Sequence, residues 1–185
     1  MPQQYTLKLN FDLRQVTQTL AYEFVLGQGG SKDYPMKEDG PLAGTFHFQP
    51  GDEIFVEVIA TAPVGDGEAV MQDFKVSNCT FISVPAHMNE FLSLFNETSA
   101  CAVMDDEGWG AVNPLPGVDS TSRRFSISND KPLPVVTKNG QWKISGYLSV
   151  QLPPLGDVPV REGVRNQLYF FDPEGSTGKG GGFGP

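Results

Sequence analysis

Tyr5-Thr6-Leu7-Lys8-Leu9-Asn10-Phe11 alternates without exception between apolar and polar side chains. Successive residues of a β-strand point to opposite sides of a sheet, so this period predicts Tyr5, Leu7, Leu9 and Phe11 on a buried face and Thr6, Lys8 and Asn10 on a wet one. Such one-sided burial is the mark of antiparallel sheets. The period recurs along the chain. Thr19 to Leu26 reads as a second strand with Leu20, Tyr22, Phe24 and Leu26 inward, ended by Gly27-Gln28-Gly29-Gly30. Thr45 to Phe48, the turn Gln49-Pro50-Gly51-Asp52 and the strand Glu53 to Thr61, with Ile54, Val56, Val58 and Ala60 inward, read as a hairpin.

Further strands are predicted at Met71 to Val76, Thr80 to Val84, Arg124 to Ser128 and Leu168 to Phe171. In Val135-Val136-Thr137-Lys138-Asn139-Gly140-Gln141-Trp142-Lys143-Ile144, the Asn139-Gly140 pair tolerates the positive φ angles of a type I′ turn and predicts a second hairpin. Trp142, Ile144, Leu148, Val150 and Leu152 continue one buried face from it. Met88, Phe91, Leu92 and Phe95 stand at helical spacing, which predicts one short helix over Ala86 to Asn96; Phe91, Ser93 and Phe95 also alternate, as a strand would. Asp105 to Gly117 reads as a long loop carrying Trp109. Eight or nine short strands without strand–helix alternation predict an all-β fold, an antiparallel β-sandwich of Greek-key or jelly-roll type with at most one short helix.

Composition agrees with a folded β domain. Of 185 residues, 39% are hydrophobic and 19% charged, and 13 phenylalanines favour strands, while 21 glycines and 15 prolines leave little room for long helices. Residues 1–173 are expected to form a single domain. Residues 174–185, ending Gly178-Lys179-Gly180-Gly181-Gly182-Phe183-Gly184-Pro185, carry too little apolar surface to order themselves and are expected to be a disordered tail.

A net charge of −9 with 13 Lys+Arg removes the electrostatic term on which nucleic-acid binding depends. No stretch approaches the roughly 18 apolar residues of a membrane-spanning helix, and Met1-Pro2-Gln3-Gln4-Tyr5 has no leader pattern, so a cytoplasmic location is expected with no membrane partner. Cys79 and Cys101 are expected to be free thiols.

The chemical motifs fail at named residues. Gly27-Gln28-Gly29-Gly30-Ser31-Lys32 puts a lysine where a dinucleotide-binding turn needs its third glycine. Gly178-Lys179 lacks the flanking residues of a P-loop, because Pro173 and Gly180 stand where that loop needs glycine and Ser/Thr. Phe48-Gln49-Pro50-Gly51-Asp52-Glu53-Ile54-Phe55-Val56 resembles a strand pair of copper-binding sandwiches, but His47, Cys79, His87, Met88, Cys101 and Met104 are scattered rather than grouped on one loop, so no metal and no cofactor is expected. Neither histidine sits in a serine or cysteine nucleophile signature, and no catalytic residue is assigned. Asp105, Asp106 and Glu107 are the densest acidic group and stand beside Trp109, an aromatic platform suited to a sugar. These four are the candidate ligand-binding residues.

Read in chain order, Val25-Leu26-Gly27-Gln28-Gly29, Pro50-Gly51-Asp52-Glu53-Ile54, Ala69-Val70 with Phe74, Phe81-Ile82-Ser83-Val84-Pro85 and Leu168-Tyr169-Phe170-Phe171-Asp172-Pro173 are similar to motifs of the AidA/PixA-type bacterial inclusion-body proteins. The resemblance implies a β-sandwich that accumulates in cells, sometimes as inclusions, and it carries no catalytic residues. The leading expectation is a non-enzymatic acidic sandwich acting through self-association or a protein partner. A carbohydrate-binding module built on Trp109 and its acidic neighbours, with or without calcium, is the alternative, and a hydrolase using the same carboxylates is the third reading.

Overall fold

A computed structural model describes residues 2–27, 32–33, 46–65, 71–85, 93–117, 119–136, 140–152, 165–172 and 174–177. Among the described residues, thirteen strands run in the order β1 (Gln4–Asp12), β2 (Ala21–Leu26), β3 (Lys32–Asp33), β4 (Phe46–Phe48), β5 (Glu53–Pro63), β6 (Lys75–Pro85), β7 (Cys101–Met104), β8 (Asn113–Leu115), β9 (Ser122–Ser128), β10 (Leu133–Pro134), β11 (Gly140–Leu152), β12 (Arg165–Phe171) and β13 (Glu174–Thr177). Seven form sheet A, ordered β3-β2-β1-β5-β9-β8 with β10 also pairing β5. Six form sheet B, ordered β4-β13-β11-β6-β7 with β12 also pairing β11. The pairings are antiparallel except β1 with β5 and β13 with β4, which are parallel. The all-β sandwich is therefore the fold.

The alternation read from the sequence sets the inner faces. Tyr5, Leu7, Leu9 and Phe11 on β1 are each at most 3% exposed, and Trp142, Ile144, Leu148, Val150 and Leu152 on β11 at most 2%. Both sets belong to a single buried cluster drawn from the two sheets. Aromatic rings join the layers: Phe48 of sheet B meets Tyr5 and Phe24 of sheet A at centroid distances of 5.5 and 5.6 Å, and Tyr169 of β12 stacks on Phe11 of β1 at 5.2 Å. Gly146 occupies the middle of the β11 inner face, opposite Phe171, whose ring lies where any side chain at 146 would go. From Leu20 through β2 the expected period is only partly kept: Leu20 and Phe24 are buried, Tyr22 and Leu26 share the face of Leu9 and Tyr5 but remain 39% and 40% exposed, and Val25, on the opposite parity, is fully buried.

Several local expectations give way to tertiary pairing. Phe46–Phe48 and Glu53–Pro63 do not form a hairpin, because β4 pairs β13 in sheet B and β5 pairs β1, β9 and β10 in sheet A. The turn between them crosses from one layer to the other. Its direction is held by Asp52, whose fully buried carboxylate accepts the backbone N–H of Gln3 (2.8 Å) and of Gln49 (2.6 Å), while Asp52 O accepts from Val135 N. Gly51 takes φ 88°, the left-handed conformation that glycine adopts without strain.

Nor do the described strands on either side of Asn139-Gly140 pair with each other. Leu133–Pro134 pairs β5 in sheet A, whereas the strand that starts at Gly140 pairs β6, β12 and β13 in sheet B; residues 137–139 lie outside the described set. Local turn preference favours a reversal but does not say which sheet receives the next strand. Met71 and Gln72 are helical, not extended, and the two strands expected between Met71 and Val84 are one strand, β6. Most of the expected Ala86 to Asn96 helix lies outside the described residues, but Ser93–Asn96 is not helical. There Ser93 Oγ and Ser83 Oγ lie 2.6 Å apart, Leu94 N donates to Ser83 Oγ and Phe95 N to Ser93 Oγ. The hydroxyls satisfy buried backbone groups that a helix would otherwise pair internally.

Glu174–Thr177 of the expected tail forms β13, paired on one side with β11 and on the other with β4. Backbone pairing on both edges places this short glycine-containing stretch within sheet B. Residues 178–185 lie outside the described set. Among the described residues, no helix is long and apolar enough to cross a membrane.

Candidate functional site

The loop after β7 places the four residues singled out by the sequence. Asp105, Asp106 and Glu107 are exposed, and Trp109 is half-buried, packed against the edge of the core with Val112. Two devices fix its course. Asp105 Oδ1 accepts Glu107 N at 3.1 Å, closing an Asx turn, and Gly108 at φ 86° reverses the chain so that Asp130 N reaches Gly108 O at 2.8 Å. Trp109 then bridges Asn129 beside β9. The indole Nε1 donates to Asp105 O at 2.7 Å, so its one polar atom is used within the loop.

The loop therefore brings Trp109 to the Asp105 main chain but leaves the carboxylates pointing to solvent. Asp105 caps its own turn, Glu107 lies 3.7 Å from Lys131 in an exposed ion pair, and Asp106 makes no hydrogen bond or ion pair with a described residue. An exposed pair of this kind contributes about 0–1 kcal/mol. Among the described residues, no group of three His, Cys, Asp or Glu side chains could hold a metal ion. The side chains of His47, His87 and Met88 lie outside that set.

The two thiols are free. Cys79 faces the core opposite Met104, where burial pushes its thiol pKa far up, and Cys101 is half-buried on the other face of sheet B beside Ile82. At the opposite end of the charge scale, Asp119 is held below the usual carboxylate range by hydrogen bonds from the Ser122 and Thr121 hydroxyls and from Thr121 N. It orders the turn before β9.

Two of the cavities among the described residues lie elsewhere. One, of about 590 Å³, is a broad groove at the end of sheet A lined by Pro2, Gln3, Gln4, Leu26, Gly51 and Glu53. The other, of about 310 Å³, is more enclosed and lies at the β8–β9 edge.

The feature that sequence reading missed is the outer face of sheet B. Phe170 of β12, Tyr147 of β11, Thr80 of β6 and Val103 of β7 stand in register across four strands. Phe170 and Tyr147 are each 42% exposed and Val103 59%. Leu168 (51%) and Val84 (54%) extend the row on either side. No aspartate or glutamate occurs in any of these four strands, although the chain holds 22; their cations are Lys75, Lys143 and Arg165. The only hint in the sequence was Leu168-Tyr169-Phe170-Phe171, apolar at both parities, which marks a strand with two apolar faces.

Comparisons with protein-family models, with curated proteins and with solved structures give no match to this chain.

Proposed function

We propose that this protein is a non-enzymatic β-sandwich that acts by self-association in the cytoplasm, packing the outer face of sheet B of one copy on that of another. The observation that carries the reading is the in-register row Phe170–Tyr147–Thr80–Val103 across four strands that contain no aspartate or glutamate, Glu174 of β13 standing apart from it opposite Lys143. Contiguous exposed apolar surface is costly in a monomer and marks an interface.

Charge selects the occupant. Two copies at −9 each repel at long range, and contact through sheet A would bring together Asp12, Glu23, Glu53 and Glu57 of each copy. Through sheet B no carboxylate of these strands meets another, and face-to-face sheets pack at about 10 Å with interleaved side chains. The resemblance to AidA/PixA-type inclusion-body proteins points the same way, toward a chain that accumulates by assembling with itself.

The proposal has a pH dependence. Lowering pH from 7 toward the sequence pI of about 4.6 reduces the net negative charge, so the repulsion that opposes assembly falls while the apolar face is unchanged. Light scattering at fixed concentration is expected to show a weight-average mass that rises between pH 7 and pH 5. A mass that stays at one chain across that interval contradicts self-association.

A further inference from the structure

Among the described residues β7 ends sheet B, with β6 on one side and no strand on the other. Edge strands present unpaired backbone groups, and proteins deter pairing there with charges or proline. Both ends of sheet A carry such residues: Lys32 and Asp33 make up β3, and Pro114 stands in the middle of β8. β7 is Cys101-Ala102-Val103-Met104 and has neither.

The deterrent at β7 is of another kind. Ser83 N donates to Ala100 O at 3.1 Å, continuing the β6–β7 ladder. In an antiparallel pair the N–H and C=O of one residue face the same side, and the side alternates along the strand. Ala102 and Met104 therefore also bond toward β6, while Cys101 and Val103 turn their backbone groups to the free edge. Both groups of Cys101 are taken by side chains: its N–H donates to Ser99 Oγ at 3.1 Å, and its C=O accepts Asn96 Nδ2 at 3.4 Å. One residue past the strand, Asp105 O accepts Trp109 Nε1. Val103, between them, has no such side-chain partner among the described residues.

A second copy adding its own β7 here fits best in antiparallel register centred on Val103. Val103 then pairs with its counterpart and Cys101 with Asp105 of the second copy, so no carboxylate of one chain stands opposite a carboxylate of the other. That register needs the N–H and C=O of Cys101, and both are occupied. Val103 alone offers two hydrogen bonds, too few to offset the cost of joining two chains that carry −9 each.

We infer that the free edge of β7 is a strand-addition site for β7 of a second copy, held shut by Asn96 and Ser99 on the backbone of Cys101. The edge is distinct from the outer face of sheet B, and the inference stands whether or not that face mediates assembly.

The test uses the full chain carrying Phe170→Glu, which puts a carboxylate in the sheet B row, in reducing buffer at neutral pH. Sedimentation equilibrium reads association and circular dichroism checks the fold. Adding Asn96→Ala and Ser99→Ala is expected to tighten self-association at least about ten-fold over Phe170→Glu alone. Adding Val103→Pro as well is expected to abolish the gain, because it removes the central donor at a position where an edge strand accepts proline. A chain without the Asn96 and Ser99 side chains that associates no more than its parent overturns the inference, as does a gain that survives Val103→Pro. Failure of the sheet B reading looks different: Phe170→Glu then associates as the wild type does, and the gain on opening the edge is still measured against it. If the double substitution does not fold, Ser99→Ala alone, which frees the Cys101 N–H, is expected to give a smaller gain that Val103→Pro removes, and no gain overturns the inference.

Discussion

Gly146→Ala is expected to destabilise the fold by about 3 kcal/mol, the upper end of the cost of overpacking a well-filled core. A Cβ at this position would lie 2.6 Å from Thr80 O and inside the ring of Phe171. Thr80 O belongs to β6, fixed against β11 by the register that runs from Trp142 opposite Pro85 to Gln151 opposite Lys75, so the carbonyl cannot retreat without disturbing the centre of sheet B. Phe171 is 1% exposed and packs edge-on against Phe81 at 5.4 Å, so its ring has no free volume to enter. For a chain of this length the loss corresponds to a fall in Tm of about 6–12 °C by thermal denaturation. Phe171→Leu in the same chain is expected to recover only part of the loss, because it relieves the ring and not the backbone carbonyl. Gly146→Ala at wild-type Tm would mean that β11 and β12 are not packed as described.

Asp52→Ala is expected to cost about 3–5 kcal/mol, the range for removing one partner of a buried charged interaction. The carboxylate is fully buried and receives the N–H groups of Gln3 and Gln49, which belong to the start of sheet A and to the layer-crossing turn. Truncation leaves two donors without an acceptor, each at about 1–3 kcal/mol if water does not reach it. Asp52→Asn keeps one acceptor oxygen but turns an amide donor toward a backbone donor, so it is expected to restore less than half of the loss. Denaturant titration checks both. A stability change below about 1 kcal/mol for Asp52→Ala would show that the crossing is held by its backbone contacts alone.

The same residue shows how far the sequence could be read. The alternations of Tyr5 to Phe11 and of Trp142 to Leu152 were legible because one face of each strand is dry, and a one-residue slip would expose every apolar side chain. Pro50-Gly51-Asp52 was legible as a turn. That it passes between layers was not, because Asp52 is recruited by Gln3, 49 residues away, and no local pattern records that partner. Asn139-Gly140 misleads in the same way: β10 pairs β5 in sheet A and β11 pairs β6 in sheet B, partners that lie more than 50 residues away in the chain and leave no local pattern.

Of the candidate site, the exposure of Asp105, Asp106 and Glu107 was legible from charge, whereas the inward lean of Trp109 was not, since it depends on Gly108 at positive φ and on the bridge to Asn129. The row on sheet B was beyond reach for a different reason. Residues 80, 103, 147 and 170 become neighbours only through three registers that join distant parts of the chain.

That row is also where the functional account is most exposed to contradiction. Sedimentation equilibrium of the wild-type chain at neutral pH and micromolar concentration, beside Phe170→Glu, tests it most directly. Phe170 is 42% exposed, so a charged side chain fits the monomer, but in a dimer it places a carboxylate and its symmetry mate in a desolvated interface. The account predicts a wild-type chain heavier than the 20.1 kDa monomer and a Phe170→Glu chain that sediments as the monomer with its fold intact by circular dichroism. A wild-type protein that remains at 20.1 kDa at all concentrations, or a variant that associates as strongly as the wild type, would contradict the assignment of sheet B as the assembly surface.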